Sequence, residues 1–420
     1  MDHPWLESRQ GRLQVEGIPL LELAPRFGTP LYVYSAQALV SNVRRIQATL
    51  HGLPVEIRYA VKANPTGAIL TLLAALGLGA EVVSGGELAR ARRAGFPPEK
   101  IVFTGVGKTG WELAKAVEEG VEAVVIESLA EIPLLEMVAG NQPVRVALRL
   151  NPGTVLPTHP YLATGARGTK FGLDEPSFWE ALDHLRQTPL ELVGLHTHLG
   201  SQLSDPTLYI QTLDRLLELA RLLCKDGWKM EFLDLGGGFA IPQWPDLPGF
   251  PFAEFAQALR ARELSGLRLL LEPGRAIVGT AGILLTTVLH TKTVHGRRFV
   301  VVDAGMNDFL RPSLYRAAHR VVAMAEGEGE ELADVVGPIC ESGDFLAWGQ
   351  SLPRLRPGDA LAILDAGAYG ATMASQYNSR PRPAEVLIAK GRPYLVKARE
   401  TVEDLWRGEE IPQCLSDVLG

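Results

Sequence analysis

The stretch Glu56-Ile-Arg-Tyr-Ala-Val-Lys-Ala-Asn64 runs into Pro65 and then into the uncharged segment Thr66–Ala80. A mostly apolar run that stops at Lys-Ala-Asn-Pro, followed by a helix-length segment, reads as a buried strand leading into a barrel helix. Outward from it the pattern recurs at Ala80–Ser84, Ile101–Gly105, Ala123–Glu127, Val144–Asn151, Leu192–His198, Phe232–Leu235 and Leu267–Glu272. Helical periodicity fills the gaps, as in Gly86–Ala94, Trp111–Glu119 and Leu208–Lys225. The order is therefore strand then helix, and eight such units close a parallel barrel. A doubly wound open sheet alternates in the same way, but no Gly-x-Gly-x-x-Gly follows the first strand.

The expected fold class is α/β, a (β/α)8 TIM barrel over residues 31–275. A second, mostly antiparallel β domain is expected from residues 276–420 together with the β-like residues 1–30. Short strands with turn signals at Thr286–His290, Phe299–Val302, Ala360–Leu364, Ala384–Ile388 and Tyr394–Lys397 mark it. Its acidic stretch Glu326–Glu331 reads as a solvated hairpin loop.

The 420 residues accommodate a barrel of about 250 residues and a second domain. A net charge of −7 with no long basic run argues against nucleic acid, and points to a small-molecule substrate. Cys224, Cys340 and Cys414 form no C-x-x-C pair, which fits a reducing compartment. The N-terminal residues lack a signal-peptide layout and Thr66–Ala80 is too short to span a bilayer, so the expectation is a cytoplasmic protein with no membrane contact.

Barrel chemistry gathers at the C-terminal ends of the strands. Lys62 ends the first, Ser84-Gly-Gly-Glu87 the second, Asn151-Pro the fifth, His196-Thr-His198-Leu-Gly-Ser201 the sixth, Gly236-Gly-Gly238 the seventh and Glu272-Pro-Gly-Arg275 the eighth. A lysine in a dry site has its ammonium disfavoured, which frees the amine for Schiff-base chemistry with a carbonyl or pyridoxal phosphate; read alone, Lys62 suits a strand-capping lysine equally well. Gly236–Gly238 lets backbone N–H groups approach an anion, with Arg275 and Ser201 beside it, at the place where barrels commonly bind phosphate. His196 and His198 share a face. That spacing suits a metal-dependent hydrolase, but zinc catalysis wants three protein ligands, and no third His or Asp stands out at the neighbouring strand ends. The other use is an imidazole stacked on a cofactor ring, for which His198 is the candidate, leaving His196 as a satisfied core histidine. Glu272 could hold a proton on a pyridine nitrogen, or be a surface acid before a turn. In the β domain, Gly337–Asp344 sets the thiol of Cys340 beside Glu341, Asp365–Gly370 presents Tyr369, and Asp308–Tyr315 offers Arg311 and Tyr315.

From about Tyr32 to Leu405 these strings resemble the alanine-racemase-like, barrel-type pyridoxal-phosphate decarboxylases, and within them the diaminopimelate decarboxylases. The blocks that carry the resemblance stand in family order: Tyr-Ala-Val-Lys-Ala-Asn, Val-Val-Ser-Gly-Gly-Glu-Leu, Asn-Pro…Thr-His-Pro-Tyr…Lys-Phe-Gly, His-x-His-x-Gly-Ser-Gln, Leu-Gly-Gly-Gly, Glu-Pro-Gly-Arg, Cys-Glu-Ser-Gly-Asp and Gly-Ala-Tyr-Gly…Tyr-Asn-Ser-Arg-Pro-Arg-Pro-Ala-Glu-Val. The resemblance implies pyridoxal 5'-phosphate bound to Lys62, with His198 on its ring, Ser201, Gly236, Gly237, Gly238 and Gly274 near its phosphate, and Glu272 on its ring nitrogen. Arg275, Arg311, Tyr315, Glu341 and Tyr369 would bind substrate or phosphate. Cys340 would protonate the product, reaching the site from the partner subunit of a homodimer whose active sites are shared. No metal is implied.

Cys340-Glu-Ser-Gly-Asp344 departs from the Cys-Asp-Gly-Leu-Asp of ornithine decarboxylases, and Arg311 supplies a cation for a distal carboxylate. The implied reaction is the decarboxylation of meso-2,6-diaminopimelate to L-lysine. A decarboxylase for ornithine or arginine, a racemase on the same scaffold, a non-catalytic cofactor carrier and a metal hydrolase are the competing readings. Glu81 stands where relatives often have Asp, which touches one local contact.

Overall fold

The computed structural model describes residues 3–153, 164–242, 248–325 and 327–415. The Thr158–Tyr161 motif and Glu326 lie outside these. All eight barrel strands form: Val55–Ala60, Gly79–Val82, Ile101–Phe103, Ala123–Ile126, Val144–Arg149, Leu190–His196, Phe232–Asp234 and Arg268–Leu271. They pair in parallel, and the last closes on the first. Each stops short of the end that the sequence assigns it, because the polar residues at its tip leave the ladder to shape the loop. In the first, Val61–Ala63 makes a 3-10 turn, so Lys62 stands off the strand itself.

Inside the barrel Val102, Val125, Ala147, Val193, Phe232 and Leu270 pack together. Gly194 is required there: a Cβ on it would lie 2.5 Å from the Phe232 ring. Emptying that space by Phe232→Ala costs about 3–5 kcal/mol. Below the apolar layer, Arg58 donates to Glu122 at 2.8 Å and to Glu56 at 2.7 Å, and Arg268 donates to Glu122 at 2.8 Å. This ion-pair network fills the N-terminal end, so the opening is at the other end.

Leu31–Ser35, counted with the barrel by a division at residue 31, pairs instead with the second domain's strands Gly282–Val294 and Ala384–Ala389. All five of its residues are buried, as for a strand covered on both faces. The barrel side of the chain then starts at the helix Ala36–Thr49, which Ser35 caps by accepting from the Ala38 N–H at 3.0 Å.

The second domain is a nine-stranded sheet, antiparallel but for two parallel pairings. The strands flanking the acidic stretch, Val321–Ala323 and Glu331–Val336, pair with different neighbours. That stretch is thus a crossing between strands and not a hairpin loop. Leu6–Arg9, Arg12–Val15 and Ile18–Pro19 form a small antiparallel sheet tied to this domain by the Leu13 N–H donating to the Met324 carbonyl at 3.1 Å. Among the described residues no helix is long and apolar enough to cross a membrane.

The two parts meet at the Lys62 turn. Asn64 Nδ2 donates to the Gly367 carbonyl at 3.0 Å, and the Tyr369 N–H donates to the Ala63 carbonyl at 2.8 Å. Tyr369 sits at φ +55°, a left-handed conformation costly for a bulky residue and held by this bonding.

Candidate active site

A cavity of about 480 Å³ opens at the C-terminal end of the barrel, lined among others by Lys62, Thr104, Arg149, Phe171, His198, Ser201, Arg275, Arg311, Tyr315 and Tyr369. Residues from six strand ends and two β-domain loops thus face one space.

Lys62 Nζ lies 2.7 Å from each carboxylate oxygen of Glu81, and Thr104 Oγ1 also donates to Glu81. Burial alone pulls the amine's pKa down, but the Glu81 and Glu272 charges outweigh it and hold Lys62 above the usual lysine range. Without cofactor the amine is therefore an ammonium, contrary to the expectation that a dry site frees it. The sequence treats Glu81 as a minor contact, whereas its carboxylate sets the charge state of Lys62.

Ser84 and Glu87 serve the loop. Ser84 Oγ accepts from the Glu87 N–H at 3.2 Å, and Glu87 accepts from the Val83 N–H at 2.9 Å. Burial pushes Glu87 up to about 7. Asn151 likewise shapes a turn, donating to the Phe171 carbonyl at 2.8 Å.

The glycine run is packed too closely for side chains. A Cβ at Gly237 would stand 2.2 Å from the Glu272 carbonyl oxygen, and one at Gly238 2.0 Å from that of Gly200; Gly236 and Gly238 have φ of +67° and +94°. The Gly236 N–H is engaged by Asp234 Oδ1 at 2.8 Å and the Gly237 N–H by His198 Nδ1 at 3.0 Å. Of the three amides the sequence offers to an anion, Gly238's is the one left. Accepting that bond leaves His198 neutral with its proton on Nε2, and burial lowers its pKa well below normal. Gly274 abuts the Lys62 turn, where a Cβ on it would stand 2.8 Å from Ala63 Cβ.

Arg275 Nη2 donates to Ser201 Oγ at 3.0 Å, and its guanidinium lies 4.9 Å from the Tyr369 ring centre. Arg311 is buried, 5.6 Å from the Tyr315 ring and 6.0 Å from that of Tyr369. Burial and the nearby Arg275 lower its pKa to about 9. Among the described residues no carboxylate ion-pairs with Arg275 or Arg311, so the wall they form is short of two negative charges. Arg149, by contrast, is neutralised by Glu127 at 2.8 Å.

Glu272 is not among the residues that line the cavity, but it is close enough to Lys62 for their charges to act on each other; it is 3% exposed, which removes the surface-acid reading. Its Oε1 has no donor and lies 3.3 Å from His196 Nε2. His196 is buried, yet neither ring nitrogen is hydrogen-bonded, so it is not a satisfied core histidine. With Asp234, whose polar atoms fall within 4.8 Å of theirs, these residues form a buried His/Asp/Glu cluster. Asp234 is the strand-end acid missing from the sequence reading; His198 stands outside the cluster. The signal for it was an acid inside the apolar run Phe232–Leu235.

Cys340 and Glu341 do not line the cavity. Cys340 is exposed, its N–H donating to Asn378 Oδ1 at 3.2 Å, and Glu341 accepts from the Tyr377 hydroxyl. Asp344 organises their loop by accepting from the Met306 and Ile339 N–H groups, each at 2.6 Å.

A buried lysine, a buried acid without a donor, a glycine cradle and two arginines without carboxylate partners fit pyridoxal phosphate, which brings an aldehyde, a ring nitrogen and a dianion. Residues 36–279 match the family described as "Pyridoxal-dependent decarboxylase, pyridoxal binding domain", and the chain belongs to these pyridoxal-dependent decarboxylases. Within them it is similar to the diaminopimelate decarboxylase of Aquifex aeolicus, at 42% identity over 96% of both chains. The structure of diaminopimelate decarboxylase from m. jannaschii in co-complex with L-lysine matches with a TM-score of 0.93 at 36% identity, over 98% of this chain and 99% of that one. That from Helicobacter pylori complexed with L-lysine matches with 0.88 at 39%, over 92% and 98%.

Proposed function

We propose that this chain decarboxylates meso-2,6-diaminopimelate at its D-configured centre, giving L-lysine and CO2, with pyridoxal 5'-phosphate held through Lys62. The supporting observation is the convergence of Lys62, His198, Ser201, Arg275, Arg311 and Tyr369 on one cavity in a chain so similar to diaminopimelate decarboxylases. The cofactor, when bound, supplies the electron sink for the bond broken as CO2 leaves.

The protein does the rest. Lys62 Nζ is the attachment point, and Glu81 with Thr104 keeps it aimed into the cavity. His198, neutral and locked by the Gly237 N–H, offers a flat apolar face. Glu272 holds a proton on the ring nitrogen. Arg275, Ser201 and the Gly238 amide meet the phosphate. Arg311, with Tyr315 and Tyr369, receives the distal carboxylate that ornithine lacks.

Cys340 and Glu341, exposed in the single chain, serve the site of a second copy in a homodimer. There the Cys340 thiol returns a proton to the reacting carbon and Glu341 binds substrate. The setting is the cytoplasm. Supplying the purified, cofactor-loaded protein with meso-diaminopimelate, ornithine and arginine tests the reading: CO2 and L-lysine in equal amounts from the first are expected. A preference for ornithine or arginine, or a product that keeps its carboxylate, overturns it.

A further inference from the structure

Three buried titratable side chains end adjacent barrel strands beneath the cavity: His196, Asp234 and Glu272. Their polar atoms lie within 4.8 Å of one another. Asp234 Oδ2 and Glu272 Oε1 are both acceptors, both buried, and both without a donor from the surrounding protein. Two ionised carboxyls cannot face each other in such a place, so a proton must sit between them. The Asp234 position is the stronger claimant, because its other oxygen is anchored to the Gly236 N–H at 2.8 Å while Glu272 is also drawn toward Lys62 and Arg149.

We propose that, when Glu272 meets the cofactor's ring nitrogen, Asp234, as a neutral acid, and His196, as a neutral imidazole whose Nε2 lies 3.3 Å from Glu272 Oε1, act as positioning residues that donate to it and so keep it a carboxylate. This rests on the proposed cofactor site and adds to it the device that decides where the ring proton resides. A buried carboxylate without donors is a strong base and would take that proton for itself. With two neutral donors it is a weaker one, and the proton stays on the ring.

The charges around the group agree. His196 is faced by Asp234, Arg149, Glu127 and Glu81, and burial lowers it to about 4. Asp234 is faced by Glu272 and His196, and burial raises it well above the usual range. Glu272 is faced by Glu81, Lys62, Arg149 and Asp234, and is also raised by burial, the direction expected of a carboxyl that still lacks its donors.

Two measurements test this. In the cofactor-free protein at neutral pH, the infrared difference spectrum of parent minus Asp234→Asn should contain a protonated-carboxyl C=O band, the part of the signal that Glu87 and the other buried acids do not supply. A difference spectrum without that band places the proton elsewhere and overturns the proposal. In the loaded protein, the 15N shift of cofactor labelled at the ring nitrogen should be that of a pyridinium in the parent and in Asp234→Asn, whose amide still donates to Glu272 and accepts from Gly236. It should move toward neutral pyridine in Asp234→Leu and in His196→Leu, with kcat lowered about 10–100-fold, the scale on which outer hydrogen-bond partners act. His196→Leu leaves the Gly236 turn intact and serves if Asp234→Leu does not fold. Identical pyridinium shifts in every folded variant would reduce both residues to packing. Failure of the parent to bind cofactor at Lys62 at all would sink the underlying site assignment instead, a different result.

Discussion

Glu81 holds Lys62 by both carboxylate oxygens, each 2.7 Å from Nζ, and that pairing keeps the lysine charged in the cofactor-free chain. The sign of its removal follows. A neighbouring anion stabilises the ammonium, so losing it lets burial act alone and lowers the lysine's pKa. In Glu81→Gln the pH at which cofactor-free protein half-reacts with pyridoxal phosphate should fall by about 1–3 units. An unmoved midpoint would assign control of Lys62 to Glu272 instead.

Lys62→Ala should remove the covalent cofactor linkage and nearly all turnover. Borohydride reduction of the loaded parent protein followed by peptide mapping should find the pyridoxyl group on Lys62. A label on Lys170, the lysine 5.6 Å from the Phe171 ring near the same mouth, would redirect the assignment.

The exposed position of Cys340 leads to a complementation experiment. Lys62→Ala and Cys340→Ala should each be inactive, yet their mixture should regain part of the activity, since a mixed dimer holds one site with both residues intact. If subunit exchange is verified and nothing returns, both residues act within one chain.

Under the proposed function, Arg311 receives the distal carboxylate. Its removal leaves a distal carboxylate without its cation, a loss of about 2–5 kcal/mol for a buried charge pair. Arg311→Ala should therefore lower kcat/KM for meso-diaminopimelate roughly 30- to several-thousand-fold. Any trace activity on lysine or ornithine, which lack that carboxylate, should change little. Equal losses on both kinds of substrate would move Arg311 to the phosphate or to folding.

Local patterning determined the barrel, because each strand carries its own apolar run and its own stop signal; all eight strands form at the stretches the sequence sets, each ending one to four residues early. Lys62 and the polar strand ends were legible for the same reason. The strand Leu31–Ser35 falls on the barrel side of a boundary at residue 31 yet pairs in the second sheet; an all-buried strand has no face pattern, and its neighbours come from residues 282–294 and 384–389.

What only the tertiary structure decided is which charges meet. Lys62 and Glu81 are 19 residues apart and His196 and Glu272 are 76 apart, and no periodicity reports such pairings. Closing the barrel brings strand ends together in a low-dielectric floor, where a contact of a few ångströms outweighs the intrinsic preference of each group. A chain read one residue at a time therefore yields the inventory of the site, while its protonation states belong to the folded arrangement.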